Sequence, residues 1–410
     1  MTRSLVLVAA VATAAGLALT ACSSGTSQAA GSPSSAATAS GTACPESQLG
    51  GAMPSGMPSG MPSGMPSAMP SAMPSAMPSG GSGGPAAVPV AKTIKPTDNS
   101  TSVVYAPSGP EITCGKTKLT LQTDIVYATP SGSDGTAIPL RLDIQTPATT
   151  GEKPLVVYLT GGGFVSAQKS GNLNQRTWIA EQGYVVASIE YRTVTNGQAT
   201  YKDGVADVKS AVRFLRANAA KYGIDPAKVA VWGQSAGGYL AAMTGATNGE
   251  KQFDVGDNLD RSSDVQAVVD EFGASDLSKL AADYDAADQD ANYTPGNSLA
   301  QWVYGPGTQK SIKEDTPEIE AADPARQVSA KTAPFIELHG SQDHLISPSQ
   351  TLIMHDALRA KGIESTRYVV EGADHGDLSF TGDTEAVKPW NTQETMGHIL
   401  DFLNKHVPVG

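Results

Sequence analysis

The run VAVWGQSAGGYLAAM, Val229 to Met243, shows two structural habits on either side of one serine. Val229 to Trp232 is apolar, largely β-branched or aromatic, and predicts a buried strand. Ala236 to Met243 is alanine- and leucine-rich and predicts a helix. Between them Gly233-Gln234-Ser235-Ala236-Gly237 matches G-x-S-x-G, a corner whose glycines permit a turn tight enough to hold a serine hydroxyl out from the chain. An ordinary glycine-rich turn would have the same five residues, but not the strand before and the helix after. A serine alone is a poor nucleophile, so the reading requires a base, an orienting acid and an oxyanion site elsewhere.

Outward from this corner, strand and helix patterns alternate. KLTLQTDIVYAT and IPLRLDIQTP read as two antiparallel strands joined by the turn Ser131 to Gly135. PLVVYLT, 154–160, is a continuous apolar run of the kind a parallel strand buried on both faces needs. A helix-like segment from Asn172 to Gln182 and the strand YVVASIEY follow. In the next segment, 203–222, Val205, Val208, Val212 and Leu215 share one helical face. Beyond the serine come strands VQAVVDEF, PFIELHG and STRYVVEG, with helices expected at 349–360 and 392–405. Such alternation predicts an α/β fold with a mainly parallel sheet covered on both faces. Residues 278–330 break the rhythm: they are acidic and irregular, and read as a small lid-like insertion whose Trp302 and Tyr304 would face substrate.

All six histidines lie after residue 338. His375, flanked by glycines in Gly372-Ala373-Asp374-His375-Gly376, is the candidate base. His355 and His398 fall within helices and His406 in the tail; His339 ends a strand and reads as a satisfied core residue. The acid is expected between nucleophile and base in chain order, which selects Asp343 in HGSQDHLISP. Asp374 is the rival, but sequence neighbours seldom point at one another. Thr160-Gly161-Gly162-Gly163-Phe164 would supply oxyanion donors from Gly162 and Gly163, joined by the N–H of Ala236. A phosphate-cradling loop is the competing reading, but Lys169 lacks the spacing for it.

These stretches (YLTGGGF, ASIEYR, DVKSAVRFLRANAAKYGIDPAKVAVWGQSAGGYLAAM, APFIELHGSQDHLISPSQ and EGADHG) resemble the α/β-hydrolase esterases, close to the acetylxylan/feruloyl esterase-like, BD-FAE-like branch. The likeness spans roughly residues 118 to 408 and keeps the family's motif order. It implies an α/β-hydrolase fold with Ser235 as nucleophile, Asp343 as acid and His375 as base. It also carries one departure: the family commonly has histidine before the three glycines, where this chain has Thr160.

The N-terminus has a different character. Arg3, the apolar run Leu5 to Leu19, and Leu19-Thr20-Ala21-Cys22 resemble a bacterial lipoprotein signal, which implies cleavage before Cys22 and lipid on its thiol; a plain secretory signal with a chance cysteine, and hence a secreted protein, is the alternative. Residues 22–100 are rich in Ser, Gly, Ala and Pro, with seven successive Met-Pro-Ser-Gly/Ala repeats from Met53 to Gly80. Proline every fourth residue blocks helix and sheet ladders, so this part reads as a solvated tether. The methionines could be soft metal ligands, but no His or Cys lies among the repeats. With Cys22 lipidated, Cys44 and Cys114 remain, either bonded to one another in an oxidising compartment or unpaired.

The expected organisation is a signal peptide at 1–21, a tether at 22–100 and a catalytic domain at 101–410. A net charge of −12 without basic runs argues against nucleic-acid binding. The expected activity is hydrolysis of short-chain acyl, sugar or hydroxycinnamoyl esters by an exported, lipid-anchored serine carboxylesterase that uses no cofactor or metal. A serine peptidase or amidase of the same fold, and a non-catalytic cell-surface binding protein on a hydrolase scaffold, are the alternatives.

Overall fold

A computed structural model describes residues 42–45, 89–376 and 385–410. Among them the strands are β1 (Thr42–Ala43), β2 (Val103–Tyr105), β3 (Thr113–Cys114), β4 (Leu119–Ala128), β5 (Leu140–Pro147), β6 (Lys153–Leu159), β7 (Val185–Ile189), β8 (Ile224–Gln234), β9 (Ala267–Glu271), β10 (Phe335–Gly340) and β11 (Ser365–Val370). The helices are α1 (Leu173–Glu181), α2 (Tyr201–Ala217), α3 (Ala219–Tyr222), α4 (Ala236–Ala246), α5 (Ala286–Asn292), α6 (Ser298–Tyr304), α7 (Pro317–Ala322), α8 (Ser349–Ala360) and α9 (Gln393–His406).

Nine strands form one sheet in the order β2-β11-β10-β9-β8-β6-β7-β5-β4. Only β5 runs against its neighbours β4 and β7; the other pairs are parallel. Every residue of β6, β7 and β9 is buried, as parallel strands with helices on both faces require. Alternate residues feed two separate cores. Leu155, Val157 and Leu159 pack with Val205, Val208, Val212 and Leu215 of α2 and with α4 and α8. Val156 and Tyr158 pack on the other face with α1 and α9. The fold is the expected α/β-hydrolase arrangement, with Ser235, Asp343, His375 and the glycine loop all just beyond the C-terminal ends of parallel strands. That is where open α/β sheets form their crevice.

Two details differ from the sequence reading. The segment that starts at Pro89, within the stretch that composition assigns to the tether, packs on the catalytic domain as a strap. Ala91 is 4% exposed and donates its N–H to His344 O at 2.8 Å; Lys92 N–H donates to Asp288 Oδ2 at 2.8 Å, and Ile94 bridges to Tyr284. Polar composition marks a chain that makes no core of its own, but a short strap can borrow a surface already built. The second detail is β2, a three-residue edge strand beside β11 that is too short to show a period. Cys44 and Cys114 are disulfide-bonded, closing a separation of 70 residues, for which the loop-entropy model gives about 4 kcal/mol. Cys22 and the repeats lie outside the described residues.

Candidate active site

Ser235 occupies the turn between β8 and α4 with φ 56° and ψ −121°, a left-handed conformation that costs a non-glycine residue on the order of 1–3 kcal/mol. Its neighbours make the turn possible. A Cβ on Gly233 would stand 2.0 Å from Gly237 O, and one on Gly237 would stand 2.1 Å from Leu159 O. No side chain fits there, so the elbow packs directly on the end of β6. The Ser235 N–H donates to Glu271 O at 2.9 Å, tying the elbow to the end of β9.

The same contact to Leu159 brings the loop after β6 beside the start of α4. In that loop Gly163 and Phe164 have φ 58° and 62°, and Val165 and Ser166 both donate N–H to Gly162 O, at 3.0 and 3.1 Å. The backbone therefore reverses sharply at Gly162–Gly163, just beyond the Leu159 and Thr160 carbonyls that meet Gly237 in the first turn of α4. Thr160 is buried; its carbonyl accepts from Tyr191 Oη at 2.7 Å, while its Oγ1 has no hydrogen-bond partner among the described residues. Tyr191 thus holds the loop from beneath at the residue where the family commonly has histidine.

His375 and Asp343 meet as expected. His375 Nδ1 lies 2.8 Å from Asp343 Oδ2, and both residues are buried. Asp343 Oδ1 accepts the N–H groups of Leu345 and Ile346, each at 2.9 Å. Burial pushes the Asp343 carboxyl up, but the charge of His375 and hydrogen bonds from His339 and His375 outweigh it. The group is held well below the usual carboxylate range. Asp374 is committed elsewhere: its Oδ2 lies 2.6 Å from His344 Nδ1, and its Oδ1 accepts from the backbone of His344 and of His375. It orders the loop but does not face the His375 ring nitrogens. Phe272, the residue after Glu271, packs its ring 4.6 Å from the His375 ring and 4.6 Å from Trp390. Ser235 and His375 are therefore both fastened at the C-terminal end of β9, one through Glu271 and the other through Phe272, the residue that follows it.

The lid-like insertion corrects one expectation. Trp302 is fully buried and stacks on Phe164 with centroids 4.7 Å apart; it also lies edge-on to Tyr239. It is a core residue that braces the glycine loop, not a ring presented to substrate. Tyr304 is half-buried, with its hydroxyl 3.0 Å from Thr316 Oγ1 and Lys310 Nζ over its ring. An aromatic residue in an acidic, irregular segment has the same sequence signature whether it faces inward or outward.

Sequence reasoning missed several residues that shape the site. Glu271 Oε2 accepts from Trp232 Nε1 at 2.5 Å and from Gln234 Nε2 at 2.9 Å. Gln234 also meets Asn172 and Gln175, and Gln175 reaches Trp390 O and Asn391, beside the His375 loop. Burial pushes both Glu271 and the adjacent Asp270 up to about 7. Tyr284 donates its hydroxyl to Asp343 O at 3.1 Å. No motif marks these contacts; each joins residues that are distant in sequence.

Comparison with known proteins places this geometry among esterases. The BD-FAE family model matches residues 142–358, more than half of the chain. A probable isoprenylcysteine alpha-carbonyl methylesterase, ICMEL1 of Oryza sativa subsp. japonica, is 30% identical over 58% of this chain and 54% of its own length. Esterase LipC of Mycobacterium tuberculosis is 30% identical over 56% of each. The chain thus spans about half the length of these curated relatives. Among solved structures, a propionate-bound esterase from Thermogutta terrifontis is 25% identical with a TM-score of 0.53, covering 70% of this chain and 95% of its own.

Proposed function

The chain belongs to the BD-FAE family, and on that premise we propose that it is a serine carboxylesterase acting on short-chain acyl esters, including those of sugars, outside the cell. The observation that carries the reading is the buried His375–Asp343 hydrogen bond beyond the same, C-terminal end of the parallel strands as a strained Ser235 elbow. Ser235 Oγ attacks the ester carbonyl while His375 takes its proton, and Asp343 stabilises the imidazolium without itself taking a proton. The oxyanion is held by the N–H of Ala236 with those of Gly162 and Gly163. The protonated His375 then gives its proton to the departing alcohol. Water, deprotonated by His375, releases the acid from the acyl-enzyme.

A short acyl group is supported by the propionate bound to the Thermogutta terrifontis esterase, and a small alcohol by the methylesterase relative. Each added methylene is worth only about 1–3 kcal/mol in an apolar pocket, so the preference is graded. Export is supported by the Leu19-Thr20-Ala21-Cys22 signal and by the Cys44–Cys114 bond, which persists in an oxidising compartment. The proposed location is the outer face of the bacterial membrane, with lipid on Cys22 and the repeats as tether.

The test is kcat/KM across acetyl, propionyl, butyryl, octanoyl and palmitoyl esters, with Ser235→Ala beside the wild type. Turnover in the variant should fall by roughly five to six powers of ten. A folded Ser235→Ala protein with wild-type turnover would refute the mechanism, and palmitoyl as best substrate would refute the acyl preference. Intact mass of the mature protein tests the anchor: an unmodified Cys22 would remove it.

A further inference from the structure

Asp343 is met by a second imidazole. His339, at the end of β10 and fully buried, places Nε2 3.0 Å from Asp343 Oδ2, the oxygen that also faces His375 Nδ1 at 2.8 Å. The same Nε2 lies 3.1 Å from Ile346 O. Both neighbours are acceptors, so Nε2 carries the proton and is shared between them. The opposite nitrogen, Nδ1, lies 3.1 Å from Thr351 Oγ1. That hydroxyl already receives the Nε–H of buried Arg367 at 2.9 Å, and of the two acceptors open to its own hydrogen His339 Nδ1 is the nearer, at 3.1 Å against 3.5 Å for Pro348 O. Arg367 is in turn held by Asn99, Ser102 and Pro348 O. The series Arg367–Thr351–His339–Asp343 therefore runs in one donor direction from a fixed guanidinium to the acid.

We propose that His339 is a positioning residue for the reaction. Held in its Nε2–H tautomer by Thr351 and Arg367, it locks the Asp343 carboxylate and shares the negative charge of Oδ2 with His375. The inference rests on Asp343 and His375 acting as acid and base. With His339 in place, Asp343 has a donor for each available direction: two backbone N–H groups on Oδ1 and two imidazoles on Oδ2. Without it, the carboxylate can turn about χ2, and the whole charge of Oδ2 falls on His375. The other groups facing this cluster are Tyr284, bonded to Asp343 O, and the His344–Asp374 pair on the outer side of the loop.

The test compares His339→Leu, which removes the donor, with His339→Gln, whose amide nitrogen can occupy the Nε2 position. His339→Leu should lower kcat by roughly 10- to 100-fold, the weight of one hydrogen bond to a charged group, with KM little changed. The acid limb of its kcat/KM profile should move to higher pH by about half a unit or more, because imidazolium at His375 gains the undivided charge of Asp343. His339→Gln should restore most of kcat and return the limb. If Leu and Gln lose activity equally, only in proportion to the folded fraction and with the limb unmoved, His339 is merely structural and the proposal falls. Nitrogen-15 histidine spectra of the unaltered protein at neutral pH give a reading that needs no variant to fold. Nε2–H with unprotonated Nδ1 is expected at His339, and the opposite tautomer would overturn the inference. Ser235→Ala in the same assays separates the two failures: its retention of turnover would sink the underlying mechanism, whereas wild-type behaviour of the His339 variants beside an inactive Ser235→Ala sinks only this one.

Discussion

Two carboxyl groups lie wholly buried at the ends of adjacent strands, and their chemistry differs. Asp343, just past β10, has two backbone N–H donors on Oδ1 and two imidazoles on Oδ2. Glu271, the last residue of β9, has two donors on Oε2, while Oε1 has no hydrogen-bond partner among the described residues. Burial raises the pKa of both. At Asp343 cationic and N–H partners overcome it; at Glu271 neutral amide and indole donors do not, and the group stays protonated to about pH 7. Burial alone therefore does not decide the charge of an acid. A loop can turn successive backbone N–H groups onto one oxygen because they are not spent in a ladder, whereas a residue inside a sheet depends on whatever side chains its neighbours offer.

The largest effect expected from this contrast is at Asp343. Asp343→Asn should lower kcat by on the order of 10⁴, because an amide in place of the carboxylate leaves His375 in the wrong tautomer. A loss below tenfold in steady-state kinetics would show that the charge at this position does not serve the reaction.

Glu271 should affect stability. Its folded pKa is raised above the unfolded value, so its contribution is fully present below about pH 4.5 and is lost as pH rises through about 7. Glu271→Gln keeps an acceptor for Trp232 and Gln234 and removes this titration. Relative to wild type, the variant should gain roughly 2 to 3 kcal/mol between pH 5 and pH 8 in denaturant unfolding, with activity within a few-fold. A pH-independent difference between the two would mean that Glu271 ionises as freely in the fold as out of it.

The smallest effect is expected at Asp374, whose pair with His344 is a quarter exposed on each side. Asp374→Asn should lower kcat by less than about tenfold, since exposed pairs are worth little and the residue acts only by ordering the loop. A larger loss at Asp374 than at Asp343 would transfer the acid's role.

Much of this architecture was legible in the chain. Val229 to Trp232 can only be buried as a strand covered on both faces, Gly233 and Gly237 leave no room for side chains, and Ser235 lies between them. Local rules of period, turn chemistry and motif order therefore led to β8, α4 and the candidate residues Ser235, Asp343 and His375. The strap from Pro89, the bracing of Phe164 by Trp302 and the pairing of Asp374 with His344 were not legible, because each depends on a surface supplied by distant residues. His339 shows the division most clearly. Its place at the end of an apolar strand announced a buried histidine, but a sequence does not say which atoms meet an imidazole in a core. Only the packing of β10 against α8 and β11 brings Thr351, with Arg367 behind it, to one nitrogen, and only the return of the following loop brings Asp343 to the other.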